Sequence, residues 1–298
     1  MLSIGKERKK SVLILTKPCG RLCNRLFQFS HLIAFCKHRD LRIVNLSFPD
    51  YAQYFNSSDE RLIVSFPPCG CKLTNKFIRT YLQRAFRVLA FPIAYRMLRL
   101  PGIAAIGFSE ETPNAVERLD SLLDRRLVFV DGWCFRDPDN FKRYADDIRN
   151  FFLPKEGYIR MAQDIHSKIR QDADVVIGLH IRRGDYKYWE GGKYYFEHEV
   201  YVRIIKDIVS QFADKRVKVL ITGDESPNLE PYADVSDKIV WPRKGIIVDL
   251  MGLSYCDYII SVPSTFPMWA SFYGKVPLFI ITDLQQPIDF KKASIVVS

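Results

Sequence analysis

Residues 175–186 read VVIGLHIRRGDY, an almost uninterrupted apolar run that ends in a cluster of charged side chains. Such a run is typical of a strand in a parallel sheet, because helices cover both faces of that kind of sheet and bury the strand. Ligands of open α/β sheets bind beyond the carboxyl ends of the strands. The charged cluster therefore lies where a ligand is expected.

The same strand pattern recurs along the chain and alternates with helical spacing. Strand-like runs occur at Val12–Thr16, Ile43–Phe48, Leu127–Val130, Val217–Thr222, Tyr258–Ser261 and Leu278–Ile281. Apolar residues at helical spacing occur at Leu22–His38, Asn140–Phe152, Tyr158–Gln171, Val200–Phe212 and Asp249–Tyr255. Strands that alternate with helices predict an α/β fold with parallel sheets.

The composition is that of a folded protein with a basic surface. The 298 residues include 48% hydrophobic and 26% charged residues, an ordinary balance. The formal net charge of +10 favours anionic partners, but it does not choose between nucleic acid, sugar nucleotides and acidic lipids. No run reaches the roughly 18 to 20 apolar residues of a membrane span, and no signal-peptide cleavage pattern follows the basic start. These features predict a cytoplasmic protein.

Metal binding is not expected from the sequence. The seven cysteines are widely spread and lack paired spacing. Cys19, Cys23, Cys36 and His38 match no common zinc spacing. Residues 137–139 read Asp-Pro-Asp, but their position beside a predicted helix start favours helix capping over metal binding.

One segment, Lys76–Leu100, carries six basic residues and no acidic residue, interleaved with aromatic side chains. One interpretation is an interfacial helix that rests on the acidic inner face of a membrane or accepts a lipid-linked acceptor. The other is a core helix with a solvated basic face. Both interpretations stay open at the level of sequence.

The arginine pair after the apolar run indicates phosphate binding. A planar guanidinium donates two parallel hydrogen bonds to phosphate, so an arginine just past a strand end suits a diphosphate. Two adjacent arginines in an extended segment do not both point inward. We therefore predict that Arg182 binds the ligand and that Arg183 pairs with Asp185 or another neighbour. An ion-paired turn without a ligand is the alternative.

Three further features accompany this cluster. Gly20–Phe27 is a strand-to-helix turn where backbone N–H groups and the helix dipole can meet an anion or a sugar. Asp131–Phe135 follows another predicted strand. Ser261–Phe266 is a strand end with small hydroxyl side chains before a predicted helix, where a second phosphate oxygen can bind.

The heptapeptide HIRRGDY at residues 180–186 resembles the signature of the fucosyltransferase superfamily, especially that of glycosyltransferase family 11, the α-1,2-fucosyltransferases. Gly20–Phe29 is similar to the N-terminal block of that family, residues 132–152 resemble its Gly-aromatic block, and Asp249–Trp269 resembles its C-terminal block. The four blocks occur in the family's order and span residues 12 to 274.

This resemblance implies a GT-B-like α/β fold, with two Rossmann-like lobes of parallel sheets and a cleft between them. Residues 1–155 then form the N-terminal, acceptor-side lobe, and residues 156–298 form the C-terminal lobe that binds the donor. The implied reaction is the inverting transfer of L-fucose from GDP-β-L-fucose to a glycan, α-1,2 on galactose, without a metal or other cofactor. Departures from the family pattern bear on acceptor and linkage; they are Cys23, Arg25, Pro263 and Pro267-Met268.

The predicted donor contacts come from separate blocks. Arg182 neutralises the charge that grows on the departing diphosphate. For the guanine base, we expect Asp224 at a strand end or Asp249 before Leu250, with helix capping as the alternative for Asp249. The full predicted set is Gly20, Asn24, His180, Arg182, Asp224, Asp249, Ser264, Thr265 and Phe266.

The acceptor hydroxyl must also lose a proton, and a carboxylate beside it can take that proton. Glu190, in a Gly-rich aromatic loop ten residues after His180, is the first candidate base. An exposed loop glutamate without a catalytic role is its alternative. Asp185 is the second candidate, and its position suits a structural ion pair equally well.

Other functions remain as alternatives. A transferase of another GDP-sugar, or of fucose in another linkage, would use the same donor grip. A catalytically silent sugar-nucleotide-binding relative would retain the grip without turnover. A non-catalytic nucleic-acid-binding protein is suggested by the net charge and by Lys76–Arg99, although no recognition motif supports it.

Overall fold

The computed structural model describes residues 10–70, 72–75, 77–85, 100–110, 112–131, 134–212, 214–285 and 287–297. These residues divide into two compact units. One consists of the residues up to Leu153 together with Val297, and the other runs from Pro154 to Val296. No helix within these ranges is long and apolar enough to cross a membrane.

The first unit is built on a five-stranded sheet. Its strands are β1 (Val12–Leu15), β2 (Arg42–Asn45), β3 (Val64–Phe66), β4 (Ile103–Gly107) and β5 (Leu127–Asp131). Their order across the sheet is β3-β2-β1-β5-β4. All pairings are parallel except that of β3 with β2, so the predicted parallel sheet is confirmed with one antiparallel edge strand.

Helices cover this sheet and enclose an aromatic core. They are α1 (Leu22–His38), α2 (Pro49–Ala52), α3 (77–85), α4 (Ala115–Asp120), α5 (Pro138–Arg143) and α6 (Ala145–Phe151). α1 is buried along most of its length. Its Phe29 packs against Phe48, Phe151 and Phe152, with ring centroids 5.6 to 6.0 Å apart. This packing fixes α1, and with it the turn that precedes the helix.

The single helix predicted over Asn140–Phe152 is wrong, because two helices meet at Tyr144. The backbone of Tyr144 leaves the helical region, with φ −107° and ψ 23°, so that it ends α5 and begins α6. The predicted capping role in residues 137–139 is confirmed. Asp137 accepts a hydrogen bond from the N–H of Asn140, and Pro138 occupies the first helical position, where no N–H is needed.

The second unit contains a fully parallel five-stranded sheet. Its strands are β6 (Val175–Ile181), β7 (Val217–Gly223), β8 (Ile239–Val240), β9 (Tyr258–Ser261) and β10 (Leu278–Ile280). Their order is β10-β9-β6-β7-β8, which places β6 at the centre. The helices are α7 (Glu156–Gln171), α8 (His198–Ser210), α9 (Ile246–Leu253) and α10 (Thr265–Gly274).

The central strand is buried on both faces, as its sequence predicts. All seven residues of β6 are buried. Ile177, Leu179 and Ile181 belong to one apolar cluster, and Val176 belongs to a second cluster with Ile169 of α7. Helices therefore pack on both faces of the sheet, and the edge at the carboxyl ends of its strands is left for polar residues.

Candidate functional site

The carboxyl ends of β6, β7 and β9 lie side by side at one edge of the second sheet. β6 is hydrogen-bonded to both neighbours, with His180 opposite Thr222 of β7 and Ser261 of β9. The residues that follow the three strands therefore come together at this edge. They are Arg182 to Asp185 after β6, Asp224 and Glu225 after β7, and Ser264 to Phe266 after β9.

Arg182 is held at this edge between two carboxylates. Its Nη1 lies 3.0 Å from Oδ2 of Asp224, and its Nη2 lies 2.5 Å from Oδ1 of Asp185. Its guanidinium also lies over the ring of Tyr186, 5.4 Å from the centroid. The side chain of Asp224 is 11% exposed and that of Asp185 is 58% exposed. Asp224 is thus the buried anchor of Arg182, and Asp185 is its solvated partner.

Asp224 joins the two sides of the loop that follows β6. Its Oδ1 accepts a hydrogen bond from the backbone N–H of Arg183 at 3.0 Å, while Oδ2 contacts Arg182. A Cβ atom at position 184 would lie only 2.5 Å from Oδ2. Gly184 therefore leaves the space that Asp224 needs to reach Arg182, and a side chain at position 184 would displace the carboxylate.

Arg183 is a structural residue. Its buried side chain donates from Nη1 to the carbonyl oxygen of Phe196 at 2.6 Å and to Glu197 at 2.9 Å. Nη2 donates to the hydroxyl of Tyr195 at 2.5 Å, and Nε donates to Glu225 at 3.1 Å. Three of these hydrogen bonds tie the end of β6 to the segment that enters α8, and the fourth ties it to the residues that follow β7.

Arg183 does not form an ion pair with Asp185, so the predicted pairing of these two residues is wrong. Residues Gly184–Lys187 form a 3-10 turn. This turn brings the carboxylate of Asp185 to the side chain of Arg182, which lies three residues earlier in the chain. Side chains three residues apart lie on the same face of such a turn. Asp185 therefore pairs with the arginine expected to bind the ligand.

His180 lies beneath this edge, below the surface. Its Nδ1 is 3.0 Å from Oγ1 of Thr222, and its ring stacks on Phe266 with centroids 4.8 Å apart. Its Nε2 has no hydrogen-bond partner among the residues that the structure describes. Burial, and then the positive charge of Arg182, lower the pKa of His180 to about 3. The imidazole is therefore neutral and supports the ring of Phe266.

Acid should weaken the fold through His180 and through His31 of the first unit, whose pKa burial also lowers to about 3. Both folded-state pKa values lie below the unfolded value, so this stability is present above about pH 6.5 and is lost as the pH falls. At pH 5 each histidine should lower the free energy of unfolding by about 2 kcal/mol. Urea unfolding at pH 7 and pH 5 measures the loss, and His180→Gln should make it smaller, whereas His38→Gln, on the surface, should not. An unchanged pH dependence in His180→Gln would contradict the assignment.

Helix α10 begins at the same edge. Ser264 is its N-cap, and Oγ of Ser264 accepts a long hydrogen bond of 3.5 Å from the N–H of Phe266. Tyr186 donates from its hydroxyl to the carbonyl oxygen of Pro263, which ties the 3-10 turn to the start of the helix. A helix N-terminus carries partial positive charge. The edge therefore combines a guanidinium with a helix N-terminus, and both favour an anion.

Glu190 lies in an exposed turn, Trp189–Gly192. Its backbone is left-handed, with φ 49° and ψ 37°, and Gly191 and Gly192 follow with positive φ values. Within the described ranges its carboxylate makes no hydrogen bond or ion pair. The carboxylate is therefore solvated, and no contact among the described residues links it to Arg182.

Asp249 lies in the first turn of α9, away from the contacts of Arg182. Its Oδ1 accepts a hydrogen bond of 3.2 Å from the backbone N–H of Lys244, which precedes the helix. Burial raises the pKa of Asp249 to about 6, and the bond from Lys244 opposes that rise. The carboxylate thus holds the turn into α9, but it does not cap the helix, whose N-cap is Gly245.

Gly20 and Asn24 belong to the first unit, at the turn between β1 and α1. Gly20 has a φ of +53°, and a Cβ atom there would lie 2.1 Å from Nδ2 of Asn24. Arg25, next along the helix, donates to the carbonyl oxygen of Ser47 at 2.9 Å and pairs with Asp50 at 2.8 Å. The turn therefore packs Asn24 closely against Gly20 and anchors Arg25 at the end of β2.

Some predicted features lie outside the described residues. These are Gly132 and Trp133 of the Gly-aromatic block, and much of Lys76–Leu100. Among the residues that are described, no group of three or more His, Cys, Asp and Glu side chains is arranged to hold a metal ion.

The pairing of Asp224 with Arg182 was missed by the sequence analysis, which assigned Asp224 only to the guanine base. The register of the two strands carries the signal, because Ile181 lies opposite Gly223. Arg182 and Asp224, each one residue further on, then also lie opposite one another. Knowledge that β7 neighbours β6 would have revealed the pair.

Comparison with known proteins places this site on a familiar fold. No family model matches the chain, and no curated protein matches it. Solved structures do match. A mutant of Arabidopsis thaliana FUT1 in complex with GDP is 13% identical, with a TM-score of 0.57 over 93% of this chain and 72% of that chain. NodZ α-1,6-fucosyltransferase soaked with GDP-fucose is 14% identical, with a TM-score of 0.54 over 94% and 98%. POFUT1 in complex with GDP-fucose is 10% identical, with a TM-score of 0.52 over 93% and 100%.

At these identities the likeness establishes the fold. The chain has the α/β fold of GT-B fucosyltransferases, and the predicted fold class is confirmed.

Proposed function

We propose that this protein is an inverting glycosyltransferase that transfers L-fucose from GDP-β-L-fucose to a hydroxyl group of a glycan. The observation that carries the proposal is the fixed position of Arg182 at the carboxyl end of β6, beside the N-terminus of α10. The titles of the similar structures name GDP or GDP-fucose as the bound molecule, which favours this donor. Membership of glycosyltransferase family 11, and an α-1,2 linkage to galactose, are the finer parts of the proposal.

Arg182 neutralises the departing diphosphate. As the acceptor oxygen bonds to the anomeric carbon, the bond from that carbon to the diphosphate breaks and negative charge grows on the leaving group. The exposed ion pair with Asp185 contributes little stability, so a phosphate can replace Asp185 at Nη2. The buried contact with Asp224 remains and keeps the guanidinium in place.

The helix start supplies a second anion contact. Ser264, Thr265 and Phe266 surround the N-terminus of α10, whose partial positive charge complements a phosphate oxygen. His180 supports this contact from below, because its neutral ring stacks on Phe266. In this proposal the protein's own residues supply the positive charge at the diphosphate, without a metal or other cofactor.

Glu190 is the proposed general base, and Asp185 is the alternative. The base takes the proton of the acceptor hydroxyl as that oxygen attacks. Glu190 is favoured because its carboxylate is solvated and unpaired within the described ranges, whereas Asp185 is paired with Arg182 until a phosphate replaces it. For the guanine base, Asp249 is favoured over Asp224, since both oxygens of Asp224 are engaged.

The two units then take different parts. We propose that residues 156–298 bind the donor and that residues 1–155, with Gly20 and Asn24, form the acceptor-side lobe.

A panel of GDP-fucose, GDP-mannose and UDP-galactose, each with and without lactose, tests the proposed transfer reaction through release of the nucleotide diphosphate. We expect release from GDP-fucose and a fucosylated product with lactose. Turnover of GDP-mannose alone would favour a transferase of another GDP-sugar. No release from any donor would contradict the proposed glycosyltransferase activity.

A contact with an acidic membrane surface is a second proposal, carried by α3. Its Phe77, Ile78 and Tyr81 are 88%, 51% and 74% exposed. Large apolar side chains at this spacing lie on one side of a helix, and the sequence from Lys76 to Leu100 has no acidic residue to repel a membrane. The proposed partner is the anionic inner face of a membrane.

Vesicle sedimentation should reveal this contact. The protein should sediment with vesicles that contain phosphatidylserine and much less with pure phosphatidylcholine, and salt should weaken the binding. The double variant Phe77→Ser, Tyr81→Ser should lose most of it. Leu229→Ser, which changes an exposed apolar residue of the second unit, is the matched control. Equal sedimentation of the double variant would contradict the proposal.

A further inference from the structure

The loop after β6 presents a row of aromatic rings that extends from the proposed donor site toward the surface. The aromatic row consists of Tyr186, Trp189 and Tyr194. The ring of Trp189 lies 4.7 Å from that of Tyr186, at an angle of 38°, and 5.5 Å from that of Tyr194, at an angle of 29°. Trp189 is nevertheless 41% exposed, so much of its indole faces solvent.

The row is firmly held at both ends. Tyr186 is buried and donates its hydroxyl to the carbonyl oxygen of Pro263. At the other end, Arg183 binds the segment that begins directly after Tyr194, through Tyr195 and the carbonyl oxygen of Phe196. The structure therefore exposes Trp189 on a fixed support.

Cations close the row at each end. The guanidinium of Arg182 lies 5.4 Å from the ring centroid of Tyr186, and the ammonium of Lys193 lies 5.1 Å from that of Tyr194. Both distances are those of cation–π contacts. The row thus runs from the proposed donor anchor to the surface, with Trp189 in its middle, and Glu190 is the next residue in the chain.

We propose that Trp189 is the stacking surface for the pyranose ring of a neutral glycan acceptor. The C–H face of a pyranose packs on an exposed aromatic ring, while its hydroxyl groups bind nearby polar side chains; ligand sites commonly combine an aromatic wall with a few such groups. Glu190 and Lys193 both follow Trp189 within four residues and supply groups of both signs. This inference rests on the proposed function, because it proposes where the acceptor sugar of the same enzyme binds. It adds an acceptor contact on the donor-binding residues 156–298 to those proposed for residues 1–155.

Saturation-transfer NMR with the full chain and GDP tests the inference directly. The probes are methyl β-D-galactopyranoside, methyl β-D-glucopyranoside, methyl α-D-mannopyranoside and lactose. We expect at least one to receive saturation mainly at the protons of one C–H face. Trp189→Leu, which keeps an apolar residue but removes the ring, should weaken that binding roughly tenfold, and Trp189→Phe should recover part of it.

Tyr188→Leu is the matched control. Tyr188 lies in the same loop and is 80% exposed, but it makes no ring contact within the described ranges. Sugar binding should change little in this variant. An equal loss in both variants, or normal binding in Trp189→Leu, would overturn the inference.

A separate readout distinguishes failure of the inference from failure of the proposed function. GDP should raise the melting temperature of the unmodified protein whether or not a sugar stacks on Trp189, since a ligand that binds only the folded state stabilises it. Binding of none of the four sugars, with stabilisation by GDP retained, would overturn the acceptor surface alone. No stabilisation by GDP would overturn the proposed function itself.

Discussion

Replacement of Arg182 by alanine should reduce turnover of GDP-fucose roughly a hundred- to a thousandfold, the effect of removing one preorganised donor from a developing negative charge. The guanidinium is held by Asp224 before any ligand arrives, so its charge is already oriented toward the diphosphate. Alanine leaves Asp224 bonded to the backbone N–H of Arg183, and the loop after β6 keeps that support. The measurement is the initial rate of GDP release at saturating donor.

Two further variants separate charge from geometry. Arg182→Lys keeps the charge but loses the planar pair of Nη groups, so we expect an intermediate rate. Arg216→Ala is the matched control, because Arg216 is an exposed arginine of the same unit that pairs with Asp174. Its rate should equal that of the unmodified protein. Near-normal turnover in Arg182→Ala, with the variant folded by circular dichroism, would contradict the assigned role.

Replacement of the neighbouring Arg183 should instead destabilise the fold. Arg183→Ala removes four hydrogen bonds and leaves the carbonyl oxygen of Phe196 without its partner. The expected loss is about 3 kcal/mol in the free energy of unfolding, moderated because Glu197 and Glu225 are exposed enough to be solvated. Urea unfolding, followed by far-UV circular dichroism, measures it.

Arg216→Ala is also the control for this stability measurement. Arg216→Ala breaks an exposed ion pair, so it should cost less than about 1 kcal/mol. Arg183→Met, which retains much of the apolar volume, should lie between the two. An unfolding midpoint in Arg183→Ala that equals the midpoint of Arg216→Ala would contradict the structural role.

The elements that were predicted well are extensively buried, and burial gives them a clear apolar pattern in the sequence. The spacing of Leu22–His38 gives the bounds of α1, because that helix is covered along most of its length. The apolar run at Val175 gives β6 for the same reason. Short edge strands escaped, since β3 and β8 have three and two residues and too little pattern to identify. The break at Tyr144 also escaped, because nothing in its residue type prevents a helix.

The site was predictable as a set of strand ends but not as a set of contacts. The motif placed Arg182 and Arg183 just past a buried strand, and it required that they differ in direction. The buried partner of Arg182 is Asp224, 42 residues further along the chain, and one partner of Arg183 is Glu225, which follows the same strand β7. These contacts depend on the order of the strands in the sheet, because β7 lies next to β6, and a single sequence does not specify strand order.

Binding of GDP to the unmodified protein and to Arg182→Ala tests the central claim most directly. Thermal unfolding is followed in both proteins over a series of GDP concentrations, with ADP as the control nucleotide. We predict that GDP raises the melting temperature of the unmodified protein, that ADP does so far less, and that Arg182→Ala needs at least tenfold more GDP for the same shift. Equal stabilisation of the two proteins by GDP, or no stabilisation of either, would contradict a diphosphate site built around Arg182.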